Sequence, residues 1–318
     1  MVTLALQSMS SQYYKNAAII YNPVAGQRNV RNGMEQTIGR LAFARWRTAL
    51  YETTIEIGAE ELTRRAIAEG AEIVVAAGGD GTINAVINGM EVRQNPHVTL
   101  GVLPIGTANV WAREVGITSF PQLTGDFKSA ADTLINGVPM LADLGQAGNR
   151  CFLLWAGIGL DALITQEVHF DLKRWAGGLA FAEAGVRTGL RYTGARVRVK
   201  LDDEVIENDA WFIAISNIRL YAHIPLAKNA DITDGLLDVH LFAGNTPPQY
   251  LKHMAGVLLG THTQDPDVVY RQCKQISIEA DPALPVHVDA EPIGMTPMQF
   301  SVLPQRLRVL VPREFIEN

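Results

Sequence analysis

The sequence predicts an α/β N-terminal domain with a parallel sheet, followed by a C-terminal antiparallel β-sandwich domain. Three features carry that expectation. In the first half, apolar runs without alternation (Ala17–Tyr21, Ile73–Ala77, Leu100–Pro104) are separated by helix-spaced segments, the pattern of a sheet covered on both faces. In the second half, Ala195–Leu201 alternates strictly between apolar and basic residues, which marks a half-exposed strand. Further short strand-like runs there are separated by Gly, Pro, Asn and Asp, as in antiparallel sandwiches.

Taken in order, Ala17–Tyr21 is a buried strand ended by Asn22-Pro23, Gly33–Phe43 a helix and Arg47–Thr53 a second strand. Ala59–Glu69 is helical, with Leu62, Ala66 and Ile67 on one face. Ile73–Ala77 is a third strand stopped by Gly78-Gly79, and Thr82–Met90 the helix that follows. Leu100–Pro104 is a fourth strand, with a helix near Asn109–Val115. The expected boundary lies near Gly137–Pro139, giving domains of 1–136 and 137–305. Beyond it, strands are expected at Ala195–Leu201, Trp211–Ser216, Leu236–Phe242, Gln275–Ala280, Val286–Asp289, Met298–Val302 and Leu307–Val311. Helices are expected near Leu172–Leu190 and Pro248–Leu259.

Composition narrows the function. The 318 residues are 47% hydrophobic and 19% charged, enough to bury a sizeable core. The net charge of -6 disfavours a nucleic-acid partner. Cys151 and Cys273 form no C-x-x-C pair and are expected to be reduced thiols of a cytoplasmic protein. Met1–Lys15 lacks the pattern of a signal peptide, and the longest apolar stretch, Cys151–Ile164, contains Asp161 and falls short of the ~20 residues of a spanning helix.

Three loops follow strand ends in the first half: Asn22–Gly26, Gly78-Gly79-Asp80-Gly81-Thr82, and Pro104–Asn109 with Thr107 at its centre. The carboxyl edge of a parallel sheet is where such folds bind ligands. Glycines there let a polyphosphate approach the backbone, and successive N–H groups leading into a helix form an anion site. Asp80 is too acidic to touch phosphate directly, so it would act through a metal or hold the loop. No Rossmann or P-loop glycine motif, protein-kinase catalytic loop, or Cys/His zinc cluster is present.

Ala77–Asn84 with Asn88-Gly89, and Leu103–Asn109, resemble the diacylglycerol kinase catalytic domain, shared by bacterial soluble lipid kinases and by sphingosine and ceramide kinases. Further matches are Gly157–Ala162, Asn217, Asp231–Asp238 and Val288–Glu291, so the resemblance runs from about Ala18 to Pro312. It implies an ATP-dependent lipid kinase with two domains: an α/β domain that carries ATP and a β-sandwich that completes the cleft. It also allows the final strand, within 306–318, to return to the first domain. Mapped residue by residue, it implies ATP contacts at Asn22, Pro23, Gly26, Thr54, Gly78, Gly79, Asp80, Gly81, Thr82, Ile83, Asn84 and Thr107. The catalytic carboxylates map onto Asp289 and Glu291, with Asp80 in support, and a structural Mg²⁺ onto Asp231, Asp234 and the carbonyl of Leu236.

Three departures stand out: Val110, where relatives usually carry Asp, Ala85, where they often carry Glu, and Ala290, where they have Gly between the two carboxylates. Two other readings remain open here, an NAD kinase-like enzyme with the same glycine loop and a catalytically weak lipid- or nucleotide-binding module. The expected partner is a lipid substrate at a membrane surface, and a homodimer is compatible with the sequence. Between Asp171 and Lys200, seven basic residues (Lys173, Arg174, Arg187, Arg191, Arg196, Arg198, Lys200) outnumber two acids and interleave with Trp175, Phe181 and Tyr192. That stretch is the sequence's candidate for steering to anionic lipid.

Overall fold

The computed structural model describes residues 15–25, 30–117, 127–171, 192–222 and 224–317. The chain divides into two compact units: the described residues up to 140 together with those from 308 onward, and Leu141–Leu307.

The first unit contains β1 (Lys15–Tyr21), α1 (Val30–Phe43), β2 (Trp46–Glu52), α2 (Ala59–Ala68), β3 (Ile73–Gly78), α3 (Asp80–Met90), β4 (Thr99–Pro104), α4 (Val110–Glu114) and α5 (Lys128–Asn136). β3 and β4 are buried at every position, which is why both read as unbroken apolar runs. β1 pairs in parallel with β2 on one side and β3 on the other, and β3 pairs in parallel with β4. The order β4-β3-β1-β2 therefore reverses direction between β1 and β3. The carboxyl ends of these two strands flank a topological switch point, the place where open α/β sheets hold ligands. α2 packs against α3 and α1 against α5. Ile19, Ile20, Val74, Val75, Leu100 and Trp111 fill the core.

The second unit contains β5 (Val138–Ala147), β6 (Arg150–Phe152), β7 (Trp155–Gly159), α6 (Leu160–Asp171), β8 (Ala195–Leu201), β9 (Glu204–Ser216), β10 (Leu220–Tyr221), β11 (Ile224–Pro225), β12 (Leu237–Ala243), α7 (Pro247–Leu259), β13 (Val268–Cys273), β14 (Gln275–Asp281), β15 (Pro285–Val288), β16 (Glu291–Met295) and β17 (Met298–Val311), and α8 (Arg313–Glu317) follows. Its pairings are antiparallel, in the order β16-β15-β7-β9-β8-β14-β17, with β12 and then β13 branching from β9. β9 serves two sets of neighbours: residues 204–210 pair with β8, and 212–216 lie between β7 and β12. Phe152, Ile158, Val199, Ile215, Val239 and Val286 lie in one core, as in a β-sandwich. β17 covers both runs expected at Met298–Val302 and Leu307–Val311 as one strand, and from Arg308 it pairs in parallel with β4. The helix expected near Leu172–Leu190 lies outside the described residues.

A cluster of buried imidazoles sits under α7. His240 packs its ring 4.9 Å from Tyr270 and 5.4 Å from His262, and His253 lies edge-on to Phe242. Burial pushes the His240 imidazole down to about 3, and lowers His253 and His262 as well. The unfolded chain takes these protons near pH 6.5 while the folded chain refuses them, so stability falls as pH drops below that value. Between pH 6.5 and 5, His240 alone should cost about 2 kcal/mol of stability. Asp143, Asp234 and Asp238, whose carboxyls burial raises, act in the opposite sense, so the readout is a difference. Urea unfolding at both pH values is expected to show His240→Phe losing less stability on acidification than the parent, by about that amount. Parallel pH slopes would mean that the His240 imidazole is not held neutral.

Candidate active-site elements

The loops after β1, β3 and β4 are knitted together at the switch point. Asn22 donates its backbone N–H to the Ala77 carbonyl (3.1 Å) and its side-chain amide to the Thr82 hydroxyl (3.4 Å). The Asn22 Oδ1 accepts from the Val24 N–H, a local turn that fixes the loop, with Pro23 exposed in it. Gly26 lies outside the described residues. Gly79 and Gly106 meet backbone to backbone: a Cβ on Gly106 would lie 2.4 Å from the Gly79 Cα, and one on Gly79 3.2 Å from the Gly106 Cα. Both glycines are therefore required by loop-to-loop contact. Gly78 leaves room for the Thr82 side chain, which a Cβ would meet at 2.2 Å.

Of the two roles expected of Asp80, the structure shows loop-holding. Its carboxylate accepts from the N–H groups of Val110 (3.0 Å) and Trp111 (3.2 Å), capping α4 from the neighbouring loop. The position before α4 is Asn109, in the left-handed conformation, so Thr107 does not cap that helix. Thr107 is exposed, Gly79, Asp80 and Gly81 are partly exposed, and Ile83 and Asn84 are buried in α3. The Thr54 hydroxyl holds its own turn, accepting from the N–H groups of Glu56 and Ile57.

Val110 is 1% exposed, and its N–H is one of those bound to Asp80. Val110→Asp would either add a metal-linked carboxylate or bury an unpaired charge; with the side chain in the core and the Asp80 carboxylate alongside, it buries the charge. The substitution should lower stability by about 3 kcal/mol or more. The check is thermal melting across a Mg²⁺ series, with Mg²⁺ failing to restore the lost stability.

In the second unit, Asp289 and Ala290 are the two turn residues of the β15–β16 hairpin, both left-handed (φ 47° and 64°), a type I′ turn. Gly is the favoured residue at the second position, which accounts for the strain that Ala290 carries. Asp289 is 3% exposed. One of its carboxylate oxygens accepts from the Leu153 N–H (2.9 Å), the other from Leu154 (2.9 Å) and Trp155 (3.1 Å). Its own N–H donates to the Trp155 carbonyl. Asp289 is thus locked to the backbone before β7, which sets its surroundings apart from those of Glu291. Glu291, first residue of β16, is exposed.

Asp143, which sequence reasoning missed, anchors the acidic loop. Fully buried, its carboxylate accepts from Gly235 and Gln305, both at 2.6 Å. Burial pushes it up, as does the charge of Asp231, and burial with the charges of Asp231 and Asp143 pushes Asp234 up. One oxygen of Asp231 accepts from Thr233, and one of Asp234 from the Leu236 N–H. The donor chemistry therefore fits a hard divalent cation: oxygen donors from carboxylates of one loop that repel one another. The tightest His/Asp grouping among the described residues is elsewhere, His253, Asp265 and Asp267, and Lys252 already answers its two acids at 2.8 and 2.5 Å.

A second missed group surrounds Asp161, inside the Gly157–Ala162 stretch. Its Oδ2 meets the His287 Nε2 (2.5 Å) and accepts from the Tyr221 hydroxyl (2.6 Å). A Cβ on Gly157 would fall within 2.7 Å of all three side chains, so this glycine makes their meeting possible. Burial alone would raise the Asp161 carboxyl, but the His287 charge and the two hydrogen bonds outweigh it and hold it below the usual range. The available signal was His287 itself, a polar residue inside an apolar strand.

Of the basic stretch, Lys173, Arg174, Trp175, Phe181, Arg187 and Arg191 lie outside the described residues. Arg196 and Arg198 on β8 face Glu207 and Asp209 of β9 across 3.7–4.0 Å. This part of the stretch is answered by acids on the neighbouring strand and offers little net charge to a membrane. Among the described residues, no helix is long and apolar enough to cross a membrane.

Comparison with known proteins agrees with this architecture. Residues 16–147 match the family described as diacylglycerol kinase catalytic domain, and residues 155–311 match the YegS C-terminal NAD kinase beta sandwich-like domain. The chain is 29% identical over 305 residues to the diacylglycerol kinase of Bacillus subtilis (strain 168), covering 96% of this chain and 99% of the relative. It is 29% identical over 307 residues to the diacylglycerol kinase of Staphylococcus aureus (strain MRSA252), covering 96% and 95%. The fold is that of a crystal structure of a diacylglycerol kinase from Bacillus anthracis str. Sterne, with a TM-score of 0.72 at 20% identity over 95% of this chain and 98% of that one. The knitted glycine loops and the Asp-x-Glu hairpin thus lie within the two matched regions, and the chain belongs to the diacylglycerol kinase catalytic-domain family of phosphotransferases that act on an alcohol group.

Proposed function

We propose that the protein transfers the γ-phosphoryl group of ATP to a free hydroxyl of diacylglycerol or a closely related lipid at a membrane surface. The observation that carries this reading is the switch-point knot, in which Asp80 ties the loop after β3 to the start of α4 while the Gly79–Gly106 contact keeps side chains out of the surface between them. Such a surface suits a polyphosphate, which needs backbone N–H groups and the N-terminus of a helix more than it needs side chains. Asn22, Gly79, Gly81 and Thr107, all at least partly exposed, would hold the nucleotide phosphates.

Phosphoryl transfer passes through a loose transition state, so the protein has to place the acceptor oxygen and take its proton late. Glu291 suits that role as an exposed carboxylate on a hairpin whose turn is pinned by Asp289 to three backbone N–H groups. Asp231, Asp234 and the Leu236 carbonyl would hold Mg²⁺. Such an ion offsets the repulsion among the loop's carboxylates and orders the loop.

Purified protein incubated with γ-labelled ATP and Mg²⁺ should label lipid in a mixed-lipid extract, with diacylglycerol the best acceptor, and should leave NAD unlabelled. Labelled NADP without labelled lipid would assign the glycine loops to an NAD kinase. ATP binding without turnover on any acceptor would assign them to a binding module.

A further inference from the structure

α7 is built as a rigid helix with its polarity reversed on the outside. The Gln249 side chain accepts from the N–H groups of Asn245 and Thr246, and Pro247 and Pro248 open the first turn. Gly260, left-handed at φ 67°, closes the last. The inner face is anchored by aromatic contacts, Tyr250 on Trp211 at 5.5 Å and His253 on Phe242 at 5.6 Å. The outer face of such a helix is ordinarily polar. Here it carries Leu251, Met254, Ala255, Leu258 and Leu259, with Leu258 and Leu259 exposed at 69% and 77%. The helix has no acidic residue, and its one basic residue, Lys252, is held by Asp265 and Asp267.

We infer that this face of α7 docks the protein on the lipid bilayer by burying its leucines at the headgroup boundary. The choice of occupant rests on the lipid-kinase reading above, since that acceptor resides in a bilayer. Two observations support it independently. One is size: a 13-residue helix is about 20 Å long and about 10 Å wide, a footprint of roughly 200 Å² against the roughly 800 Å² per partner of a stable protein interface. The other is charge: an acid-free apolar face meets no repulsion from anionic headgroups and loses nothing on entering the interface. With Lys252 already paired, docking is driven by apolar area and should persist at high salt.

Vesicles of phosphatidylcholine containing diacylglycerol provide the test, by flotation of the full chain. The parent should float with them, in high salt as in low. The L258E/L259E variant, altered only at exposed positions, should keep its melting temperature and lose at least about tenfold in vesicle partitioning. Its turnover on a short-chain, water-soluble diacylglycerol should equal the parent's. A parent that does not float, or a variant that floats as well as the parent, overturns the inference. So does a parent dimer that L258E/L259E converts to monomer in sedimentation, which would give this face to a second copy of the chain. If the parent floats but phosphorylates no soluble acceptor, the kinase reading fails while the docking result still stands or falls on the variant.

Discussion

Replacing Asp289 with alanine should destabilise the second unit by about 3–5 kcal/mol, the range for a buried carboxylate whose removal strands its partners. The change leaves the N–H groups of Leu153, Leu154 and Trp155 without this acceptor, at a place closed to solvent. Asp289→Asn should lose less, because the retained carbonyl can still accept where one oxygen now serves both Leu154 and Trp155. Urea unfolding followed by tryptophan fluorescence would read the ranking, with Trp155 itself at the site. Equal stability of all three proteins would show that the backbone before β7 is held by other contacts.

Replacing Glu291 with glutamine should do the reverse. The residue is exposed at the start of β16, so the melting temperature should hold. The amide keeps the shape but cannot take a proton, and lipid-kinase turnover should fall by about 10²–10⁴-fold. ATP affinity measured by calorimetry should match the parent's, because the residues expected to hold phosphate are on other loops. A glutamine variant with full turnover would remove Glu291 from the chemistry. Together the two substitutions separate neighbouring carboxylates that the sequence presents as a pair.

That separation shows what the sequence could and could not tell. Strands such as Ile73–Gly78 and Ala195–Leu201 were legible because burial on two faces and on one face leave different periods, and the structure shows both patterns. The glycine loops were legible as motifs, but their reason was not. Gly79 and Gly106 meet each other across 27 positions of chain, and no local pattern announces that contact. Val110 looked like a missing metal ligand because sequence gives a residue's position and not its direction; its side chain is in the core. Asp143 was invisible for the same reason, as a lone carboxylate in an apolar strand whose partners, Gly235 and Gln305, are far along the chain. Short strands such as β13 escaped because their hydrogen-bonding register, set by β12, decides them more than their own composition does.

The return of β17 carries a consequence for how the protein is made. The first unit is discontinuous: its strand β4 is flanked on one side by β3 and on the other by Arg308-Val309, which follow the whole second unit in the sequence. A nascent chain reaches Asn136 with β4 an open edge, and roughly the whole of the second unit must be translated before the strand that covers that edge leaves the ribosome. At about 5–20 residues per second, the wait is on the order of ten seconds or more. The first unit therefore cannot finish folding in the order in which it is synthesised, and ribosomes stalled shortly before codon 308 should release chains that aggregate or need a chaperone, although the second unit is all but complete.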